Sequence, residues 1–423
     1  MVPRTSSVVI IGGGVVGLSI AYYLAKAGMK GITVLEKDLI GEGSTGRCAG
    51  GVRLQFSTPI NIQFSLASME TFLHFEEEFG ASAEFKQTGY LFLASTSDEF
   101  DLFQENVTIQ KKWGIEVELL SPGTIRERWP HLNTDDLTGG TFCGQDGYAG
   151  PYEVVQGYAR RARDLGAKIM QKTEALGIGM AKGKVESVIT REGIIATETV
   201  VNAAGPYASQ VGKIAGIDIP VRPVRRQIFV TGLFKKIRDP LPMTIDFHNS
   251  WYFRREHPGY LLAGPQDEEA SFNTVVDFES MIHAARKAVH RVPVFKDAGI
   301  VRGWAGLYEL SPDNHAILGK VPEVEGFICA NGFSGHGFMH APVTGKLIAQ
   351  LVMDGRTKEF DISQLSIERF RKGEFIREPM VSFQNHSIAE CGMRNNLLLQ
   401  IAEFRSQIEI NCRFKTFNLK SHI

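Results

Sequence analysis

The sequence predicts an α/β protein, α+β overall, in which a Rossmann-like dinucleotide-binding domain is discontinuous in sequence and carries an inserted, mainly antiparallel-sheet domain. Three observations predict this fold: a strand–glycine turn–helix–strand pattern near the N-terminus, small residues at the end of a later strand, and short alternating strands in the middle of the chain. A length of 423 residues exceeds what one hydrophobic core usually supports, so two domains are expected.

The first pattern is the turn Gly12-x-Gly14-x-x-Gly17, which follows an apolar strand and opens an Ala-rich helix. Gly12 permits the tight turn, Gly14 lets the backbone approach a pyrophosphate, and Gly17 lets helix and strand pack closely. The N-terminus of the helix offers unpaired N–H groups and a positive dipole to the phosphates. Glu36 ends the second strand 24 positions after Gly12 (36 − 12), near the ~20-residue spacing of an acid that binds ribose hydroxyls. This unit predicts a dinucleotide site, and by itself it leaves NAD and FAD open.

A signal peptide or membrane anchor is the alternative interpretation of the apolar stretch at residues 8–25. Three consecutive glycines disfavour a helix there, at roughly 1 kcal/mol each relative to Ala. Lys26 also falls too early for a span of ~20 apolar residues. We therefore predict no transmembrane segment.

The composition is that of an ordinary soluble globular protein, with 43% hydrophobic and 22% charged residues. A formal net charge of −1 gives no reason to propose nucleic acid as a partner. The five cysteines are scattered, without the spacing of a metal site or a disulfide framework: Cys48, Cys143, Cys329, Cys391 and Cys412. These features predict no metal and a reducing, cytoplasmic location.

The predicted division assigns three segments to the nucleotide-binding domain and two to the substrate domain. The nucleotide-binding segments are residues 1–84, 146–217 and 301–381, and the substrate-domain segments are residues 85–145 and 218–300. Residues 382–423 are predicted to be a C-terminal extension of unknown role, in which the apolar spacing over 395–410 favours an amphipathic helix.

Three local predictions bear on the site. A helix is predicted over residues 61–79, and the glycine-rich stretch 139–150 is interpreted as a crossing loop. A strand at 326–330 leads through a glycine-rich loop into a helix that has Pro342 near its first turn. That loop is interpreted either as an anion-tolerant turn or as a tight strand–helix connection only.

Five motifs follow one another along the chain: Ile11-Gly-Gly-Gly-Val-Val-Gly, Gly41-Glu-Gly-Ser-Thr-Gly-Arg, Asn202-Ala-Ala-Gly-Pro, Gly306-Leu-Tyr-Glu-Leu-Ser-Pro-Asp and Gly332-Phe-Ser-Gly-His-Gly-Phe. In this order they resemble the D-amino-acid-oxidase-like superfamily of FAD-dependent oxidoreductases. The branch that they resemble most contains the sarcosine oxidase β subunit, dimethylglycine dehydrogenase and dye-linked L-proline dehydrogenase. The resemblance covers residues 8 to about 381.

The resemblance implies FAD as the cofactor and a set of residues around it. Gly12, Gly14 and Gly17 are implied at the pyrophosphate, and Glu36 at the adenosine ribose. Ala175 is implied to meet the adenine, and Ser44 and Thr45 are implied to line the flavin side. The residues implied to border the isoalloxazine are Gly332, Gly335, His336, Gly337 and Phe338. Further cofactor contacts are implied for Val16, Lys37, Arg47, Ala204, Gly205, Gly306 and Met339. A helix starting near Pro342 would aim its positive end at the flavin pyrimidine and favour the reduced state.

The flavin is predicted to be bound non-covalently. Several members of the superfamily tether it through a Cys just before the Leu-Tyr pair or through a His that follows Ser-Thr. In this chain those positions hold Gly306 and Arg47, and Cys48 is the one nearby residue that could form such a bond.

The implied reaction is hydride transfer to flavin N5 from the carbon next to an amine nitrogen, giving an imine that water hydrolyses. The implied substrate is a small secondary or tertiary amine such as proline, sarcosine or dimethylglycine. The candidates on the substrate side are Arg53, His336, Tyr308 and Tyr252. The Arg53 guanidinium matches a carboxylate bidentately, and the alternative is an arginine on a solvated loop. His336 is alternatively a packed loop histidine.

Two departures from the superfamily concern the second carboxylate ligand and the electron acceptor. Some oxidases carry a Lys directly after Gly-His-Gly-Phe, where this chain has Met339. The Lys that promotes reaction with oxygen in monomeric sarcosine oxidases has no equivalent in residues 259–263. The chain is therefore predicted to be a dehydrogenase that passes electrons to a carrier or to a partner subunit, which in some relatives holds a second flavin.

Two other functions stay open on the sequence alone. One keeps FAD but takes glycine, a D-amino acid or a hydroxy acid as the donor. The other is a flavoprotein subunit with an assembly or scaffolding role.

Overall fold

The computed structural model describes residues 1–267, 269–376 and 378–380 of the chain. Its strands, in chain order, are β1 (Val8–Ile11), β2 (Ile32–Leu35), β3 (Gly51–Val52), β4 (Tyr90–Ala94), β5 (Val117–Leu120), β6 (Gly139–Cys143), β7 (Gly147–Tyr148), β8 (Lys168–Met170), β9 (Gly177–Ala181), β10 (Lys184–Thr190), β11 (Gly193–Ala196), β12 (Val200–Asn202), β13 (Arg222–Thr231), β14 (Met243–Asp246), β15 (Trp251–Glu256), β16 (Gly259–Gln266), β17 (Ile300–Leu310), β18 (Ile317–Lys320) and β19 (Phe327–Asn331). Its α-helices are α1 (Val15–Lys26), α2 (Pro59–Leu73), α3 (Phe75–Phe79), α4 (Ser97–Lys112), α5 (Pro122–Arg128), α6 (Pro151–Asp164), α7 (Ala208–Lys213), α8 (Phe278–Arg291), α9 (Gly337–Asp354) and α10 (Glu368–Lys372).

One sheet has six strands in the order β18-β19-β12-β1-β2-β8. Every pairing in it is parallel except the antiparallel pairing of β18 with β19 at one edge. All four residues of β1 and all four of β2 are buried, as expected for strands covered on both faces. Helix α1 connects β1 to β2 and packs against α6 and α9. This is the doubly wound arrangement that the glycine turn predicts.

The second sheet has eight strands in the order β17-β13-β16-β15-β14-β4-β6-β5. Its pairings are antiparallel apart from the parallel pair β4 and β14. The edge strand β17 pairs with β13 along its whole length, from Ile300 to Leu310. The predicted fold class, a Rossmann-like domain with an additional, mainly antiparallel sheet, is confirmed.

The predicted crossing loop at 139–150 is wrong for its first half, because residues 139–143 form β6 between β4 and β5. The glycines there serve close packing and not a turn. A Cβ on Gly139 would overlap the Phe100 ring, and one on Gly140 would overlap the Phe92 carbonyl oxygen of the neighbouring strand. Only glycine lets the strands and the covering helix approach this closely.

The two helices around the predicted site also differ from expectation. The helix predicted at 61–79 is two helices, α2 and α3, which are separated at His74. Helix α9 begins at Gly337, so Pro342 lies inside it and not in its first turn. Since Pro342 cannot donate a backbone hydrogen bond, one bond of the otherwise continuous helix is missing there, and the Val343 N–H donates to Ser68 Oγ of α2 at 3.3 Å.

The amphipathic helix predicted at 395–410 lies outside the described residues. In the part of the chain that the structure describes, no helix is long and apolar enough to cross a membrane.

The packing of β6 gives a direct test. We expect Gly140→Ala to lower the free energy of unfolding by about 1–3 kcal/mol, because the added methyl group meets backbone that cannot move aside. Urea unfolding of the flavin-loaded protein measures the change. Gly144→Ala is the matched control, since a Cβ there would meet nothing closer than 3.7 Å, at the Phe142 ring. Equal stabilities of the two variants would contradict the packing argument.

Candidate active site and cofactor cleft

A cleft of about 550 Å³ opens at the carboxyl ends of the parallel strands β1, β2 and β12. The residues that directly follow these strands, Gly12, Glu36 and Ala203, all line it. Ligands of doubly wound sheets bind at this edge, where the strand order reverses and neighbouring loops diverge. The cleft brings together eleven of the predicted cofactor residues: Gly12, Gly14, Val16, Glu36, Lys37, Ser44, Thr45, Arg47, Ala175, Ala204 and Gly205.

The N-terminus of α1 forms one wall of the cleft. Its N-cap residue is Gly14, which has no side chain to cap the helix, and the first turn lines the cleft at Val15 and Val16. A Cβ on Gly14 would lie 3.3 Å from Thr45 Oγ1, which itself accepts from the Val15 N–H at 3.2 Å. The turn therefore leaves a shallow cradle of N–H groups that any side chain on Gly14 would narrow. Such a cradle fits a diphosphate.

Gly17 does not line the cleft but keeps its shape. A Cβ on Gly17 would overlap the Gly12 carbonyl oxygen, and a Cβ on Gly12, whose φ is +117°, would overlap the Ala203 carbonyl oxygen. These two contacts bring α1, β1 and the end of β12 together at backbone distance. The predicted role of Gly17 in helix–strand packing agrees with this geometry.

Glu36 is held at the edge of the cleft by two backbone donors. Its Oε2 accepts from the Gly13 N–H at 2.7 Å, and its Oε1 accepts from the Asp38 N–H at 2.8 Å. Each carboxylate oxygen keeps a further lone pair for a hydroxyl donor. The neighbouring Lys37 ammonium lies 3.4 Å from the centre of the Tyr207 ring, which lines the same cleft.

The loop at residues 41–47 is fastened to strand β17. Ser44 Oγ donates to the Leu307 carbonyl at 2.6 Å, and the Arg47 guanidinium donates to the Ala305 carbonyl at 2.8 Å. Gly306 lies between these two acceptors, where a Cβ would come within 3.0 Å of Arg47 Cβ. The lack of a side chain at residue 306 is what lets the cofactor loop contact the second sheet.

The glycine-rich loop before α9 is supported by β17 as well. The Gly332 N–H donates to Glu309 Oε2 at 2.9 Å, and Gly335, with φ of +97°, lies on the Tyr308 ring. His336 is the N-cap residue of α9 and makes no side-chain cap. The structure thus places the loop 332–337 between Tyr308 and Glu309 on one side and the start of α9 on the other. Phe338 and Met339 point into the core, at 7% and 6% exposure, so only their backbone faces this loop.

Arg53 is buried, with 6% of its surface exposed, and does not lie on a solvated loop. Its Cζ lies 4.0 Å from the centre of the Phe56 ring and 5.3 Å from that of Phe92, and it donates to the Gln55 carbonyl. Burial lowers the pKa of Arg53, and the nearby Tyr90, Glu378 and Asp146 raise it. An arginine in this setting stays charged and is shielded from water, so it interacts strongly with an anion that reaches it.

The histidines near Arg53 are neutral. Burial and the Arg53 charge lower the pKa of His340 to about 3 and that of His336 well below its ordinary value. The His336 ring meets the Phe56 ring edge-on at 5.0 Å, and His340 Nε2 lies 2.9 Å from Ser65 Oγ. Both rings therefore pack beside Arg53 without adding charge.

Tyr252 and Tyr308, predicted from different strands, meet around one arginine that the sequence did not single out. The Cζ atom of Arg226 lies 5.6 Å from the Tyr252 ring centre and 5.7 Å from the Tyr308 ring centre. Tyr252 is buried at 9% exposure, and burial and Tyr308 raise its pKa well above the ordinary value. The Tyr252 ring stays protonated at physiological pH and keeps a hydroxyl donor.

Sequence reasoning also missed two carboxylates that hold the site. Asp146 is fully buried and accepts from the Leu54 N–H at 2.6 Å and from Gln55 Nε2 at 2.9 Å, which fixes the backbone next to Arg53. Glu309 supports the loop before α9. Burial raises the pKa of each to about 7. The signal for Glu309 was an acid inside the apolar strand Gly-Leu-Tyr-Glu-Leu, whereas Asp146 looked like an ordinary turn residue.

The sequence comparisons with known proteins indicate an FAD-dependent oxidoreductase. A sequence model of the family described as "FAD dependent oxidoreductase" matches residues 7–351. The chain is 31% identical to FAD-dependent oxidoreductase domain-containing protein 1 of Xenopus laevis, over 89% of this chain and 85% of that protein. It is 32% identical to the mitochondrial dimethylglycine dehydrogenase of Homo sapiens, over 86% of this chain and 44% of that protein. The chain therefore spans less than half the length of that dehydrogenase.

Two solved structures superpose on most of this chain. The L-proline dehydrogenase of P. horikoshii superposes with a TM-score of 0.83 at 34% identity, covering 89% of this chain and 100% of that chain. The glycine oxidase of Geobacillus kaustophilus superposes with a TM-score of 0.78 at 26% identity, covering 87% of this chain and 99% of that chain.

The buried Asp146 predicts a pH-dependent stability. Its pKa is raised in the folded protein from the ordinary 3.8 to about 7, so the folded state holds the proton more tightly than the unfolded state. The stability of the wild-type protein relative to Asp146→Asn should therefore be greatest near pH 4 and fall as the pH rises to about 7. Urea unfolding of both flavin-loaded proteins between pH 4 and about pH 7 measures this difference in the free energy of unfolding. The control is Asp218→Asn, because Asp218 is exposed. A wild-type advantage that stays constant or grows with pH would contradict the assignment.

Proposed function

This chain belongs to the FAD-dependent oxidoreductase family, and we propose that it oxidises a small amine or amino acid to the corresponding imine. The predicted cofactor, FAD, and the resemblance to the D-amino-acid-oxidase-like superfamily are confirmed by the family match. The proposed donors are secondary or tertiary amines such as proline, sarcosine or dimethylglycine. Their support is the likeness to proteins named dimethylglycine dehydrogenase, sarcosine dehydrogenase and L-proline dehydrogenase.

The residues of the cleft fit the cofactor. The uncapped N-terminus of α1 and the turn at Gly12 and Gly14 would hold the diphosphate, and Glu36 would accept from the ribose hydroxyls. The loop 332–337 and the start of α9 would border the flavin ring, with N–H groups aimed at developing negative charge. When bound, FAD supplies the two-electron acceptor that the protein side chains lack.

The observation that carries the proposal is the buried, charged Arg53 beside an aromatic wall. Phe56 and Phe92 cover its guanidinium, and Tyr308, which lies against Gly335 of the loop before α9, is close enough to raise the pKa of Arg53. A carboxylate is the small anion that pairs bidentately with such a group. Holding the carboxylate would orient the carbon next to the amine nitrogen, and orientation of this kind contributes strongly to hydride transfer.

Because His336 and His340 are neutral, the positive charge beside them comes from Arg53. One positive charge suits an amino-acid substrate that brings one carboxylate. If both rings were protonated, three cations would surround the carboxylate and would also repel an ammonium group. With their pKa values lowered, Arg53 alone supplies positive charge there.

We further propose that the protein is a dehydrogenase. Its electron acceptor would be a carrier or a partner subunit, which could hold a second flavin. The support for a dehydrogenase is the absence of Lys from residues 259–263, the approximate position at which the resemblance to monomeric sarcosine oxidases implies a Lys that promotes reaction with oxygen. We also propose a cytoplasmic location, although the related dimethylglycine and sarcosine dehydrogenases are named as mitochondrial.

A primary amino acid is the second candidate donor. The likeness to glycine oxidase at 26% identity favours glycine or a similar small amino acid in place of a secondary amine. Anaerobic mixing of the flavin-loaded protein with proline, sarcosine, dimethylglycine, glycine, D-alanine and lactate separates these possibilities. Bleaching of the flavin by an N-alkylated amino acid supports the proposal, bleaching by glycine or D-alanine alone supports the second candidate, and no bleaching by any amine contradicts both.

Replacing Arg53 tests the carboxylate clamp. We expect Arg53→Gln to raise KM for the amino-acid substrate about 100-fold or more, equivalent to about 2.7 kcal/mol. Arg53→Lys should lie in between, since it keeps the charge and loses the bidentate geometry. Steady-state kinetics with an artificial acceptor measures both, with the exposed Arg302→Gln as the control. An unchanged KM in Arg53→Gln, with normal flavin content, would exclude Arg53 as the clamp.

Acid precipitation tests whether the flavin is covalently bound to the polypeptide. Because Gly306 and Arg47 hold the tethering positions, we expect acid precipitation to release all of the flavin into the supernatant. Absorbance of pellet and supernatant measures the split. Flavin that stays with the polypeptide would show a covalent bond, and Cys48→Ala would then identify whether Cys48 forms it.

A further inference from the structure

Part of the wall of the cofactor cleft comes from the connection between β16, in the eight-stranded sheet, and α8. Phe272 and Thr274 in this connection line the cleft together with residues of the parallel sheet. Both belong to residues 269–277, which we call the strap. The strap lies outside the five sequence motifs, so the sequence gave no reason to place it at the cofactor.

An aromatic pair joins the strap to the adenosine end of the cleft. The Phe272 ring stacks on the Tyr207 ring, with their centres 4.7 Å apart and their planes at 21°. The Lys37 ammonium lies 3.4 Å from the centre of the same Tyr207 ring. Lys37 directly follows Glu36, the acid placed to bind a ribose, and all four residues except Glu36 and Lys37 come from outside β2 and its turn. The aromatic pair therefore lies on the side of the cleft that takes the adenosine.

The Phe272 ring keeps free surface at the cleft. The residue is 40% exposed, although it stacks on Tyr207, and it is among the residues that line the cleft. Covering an exposed aromatic ring with a flat ligand ring removes apolar surface from water and adds a stacking contact. The adenosine half of FAD carries a flat purine ring. The exposed surface of Phe272 thus fits that half of the cofactor.

One arginine of β13 fastens the strap at both ends. Arg225 Nε and Nη2 donate to the two carboxylate oxygens of Asp267, just before the strap, at 2.8 and 3.2 Å. At the other end, Nη2 lies 3.1 Å from Asp277 Oδ2, and Nη1 donates to the Val275 carbonyl. Only 14% of the Arg225 side chain is exposed. A bidentate, half-shielded network of this kind holds better than an isolated surface ion pair.

The backbone around Phe272 is fixed as well. On one side of it, the Ser271 N–H donates to the Pro223 carbonyl of β13 at 2.9 Å. On the other side, Asn273 Oδ1 accepts from the Val275 N–H at 2.8 Å. The ring is therefore held at the cleft by protein contacts alone, so the cofactor does not have to order the strap when it binds.

We propose that the strap retains FAD in the protein. Phe272 and Tyr207 cover the adenosine half of the cofactor, and Arg225 is a positioning residue that keeps the strap against the cleft. The strap slows the release of FAD and leaves the flavin ring at the other end of the cofactor unaffected. The inference concerns the cofactor of the family and does not depend on which donor is oxidised.

The rate of FAD release from the flavin-loaded protein tests the strap. The loaded protein is mixed with an excess of an unrelated apo-flavoenzyme that regains activity on binding FAD, which reports the released cofactor. We expect Phe272→Ala to raise the rate constant of release about tenfold or more, because the aromatic contact is lost. Phe272→Tyr, which keeps the ring, should release FAD at the wild-type rate.

Phe278→Ala is the matched control, since it removes the same kind of ring from the start of α8. Phe278 is 63% exposed and lies outside the cleft, so its removal should leave FAD release unchanged. The visible absorbance spectrum of the bound flavin should be the same in all of these variants, because the flavin ring keeps its surroundings.

Arg225→Gln tests the fastening of the strap. It should speed FAD release about tenfold or more with Phe272 still present, and Arg225→Lys should lie in between, because it keeps the charge and loses the bidentate pair. If Arg225→Gln does not fold, the Phe272 variants decide alone, since a side chain that is 40% exposed can be shortened without opening the core.

Three results would overturn the proposal: Phe272→Ala releases FAD as slowly as the wild type, Phe278→Ala releases it as fast as Phe272→Ala, or no protein releases any FAD. No donor is added in this experiment. A strap that fails the test therefore leaves the proposed oxidation of amines standing, and a substrate panel that bleaches no flavin leaves the strap standing.

Discussion

The whole site depends on one backbone contact, the close approach of α1 to the ends of β1 and β12. Gly17 lies against the Gly12 carbonyl, and Gly12 lies against the Ala203 carbonyl, at distances that no Cβ would allow. This contact directs the uncapped start of α1 into the cleft and sets the spacing between the strand ends that line it. The diphosphate cradle, the position of Glu36 and the fastening of the loop 41–47 all follow from that arrangement.

Strand β17 is the second element on which function depends, because it serves both sheets. It belongs to the eight-stranded sheet, yet its backbone accepts hydrogen bonds from Ser44 and Arg47 in the cofactor loop. Its side chains at Tyr308 and Glu309 support the loop before α9. One strand therefore connects the loop 41–47 to the loop before α9.

The sequence predicted those parts of the molecule whose structure is determined by residues close together in the chain. The glycine turn, the acid at the end of β2 and the alternating central strands each carry a signal within about 30 residues, so the fold class and eleven cleft residues were accessible. The strand at Gly139–Cys143 was missed because glycines that permit close packing look like glycines that permit turns. The start of α9 was misplaced because Pro342 usually marks a first turn. Arg226 and Asp146 gave no signal, since their roles arise from burial and from partners far away in sequence.

The central claim is that the carboxylate of the substrate binds to the buried guanidinium of Arg53. A crystal structure of the flavin-loaded protein with pyrrole-2-carboxylate tests it most directly. The account predicts the carboxylate oxygens within hydrogen-bond distance of Arg53, with the ring carbons facing the flavin and the diphosphate at the start of α1. A carboxylate bound elsewhere, with Arg53 unchanged and water beside it, would contradict it.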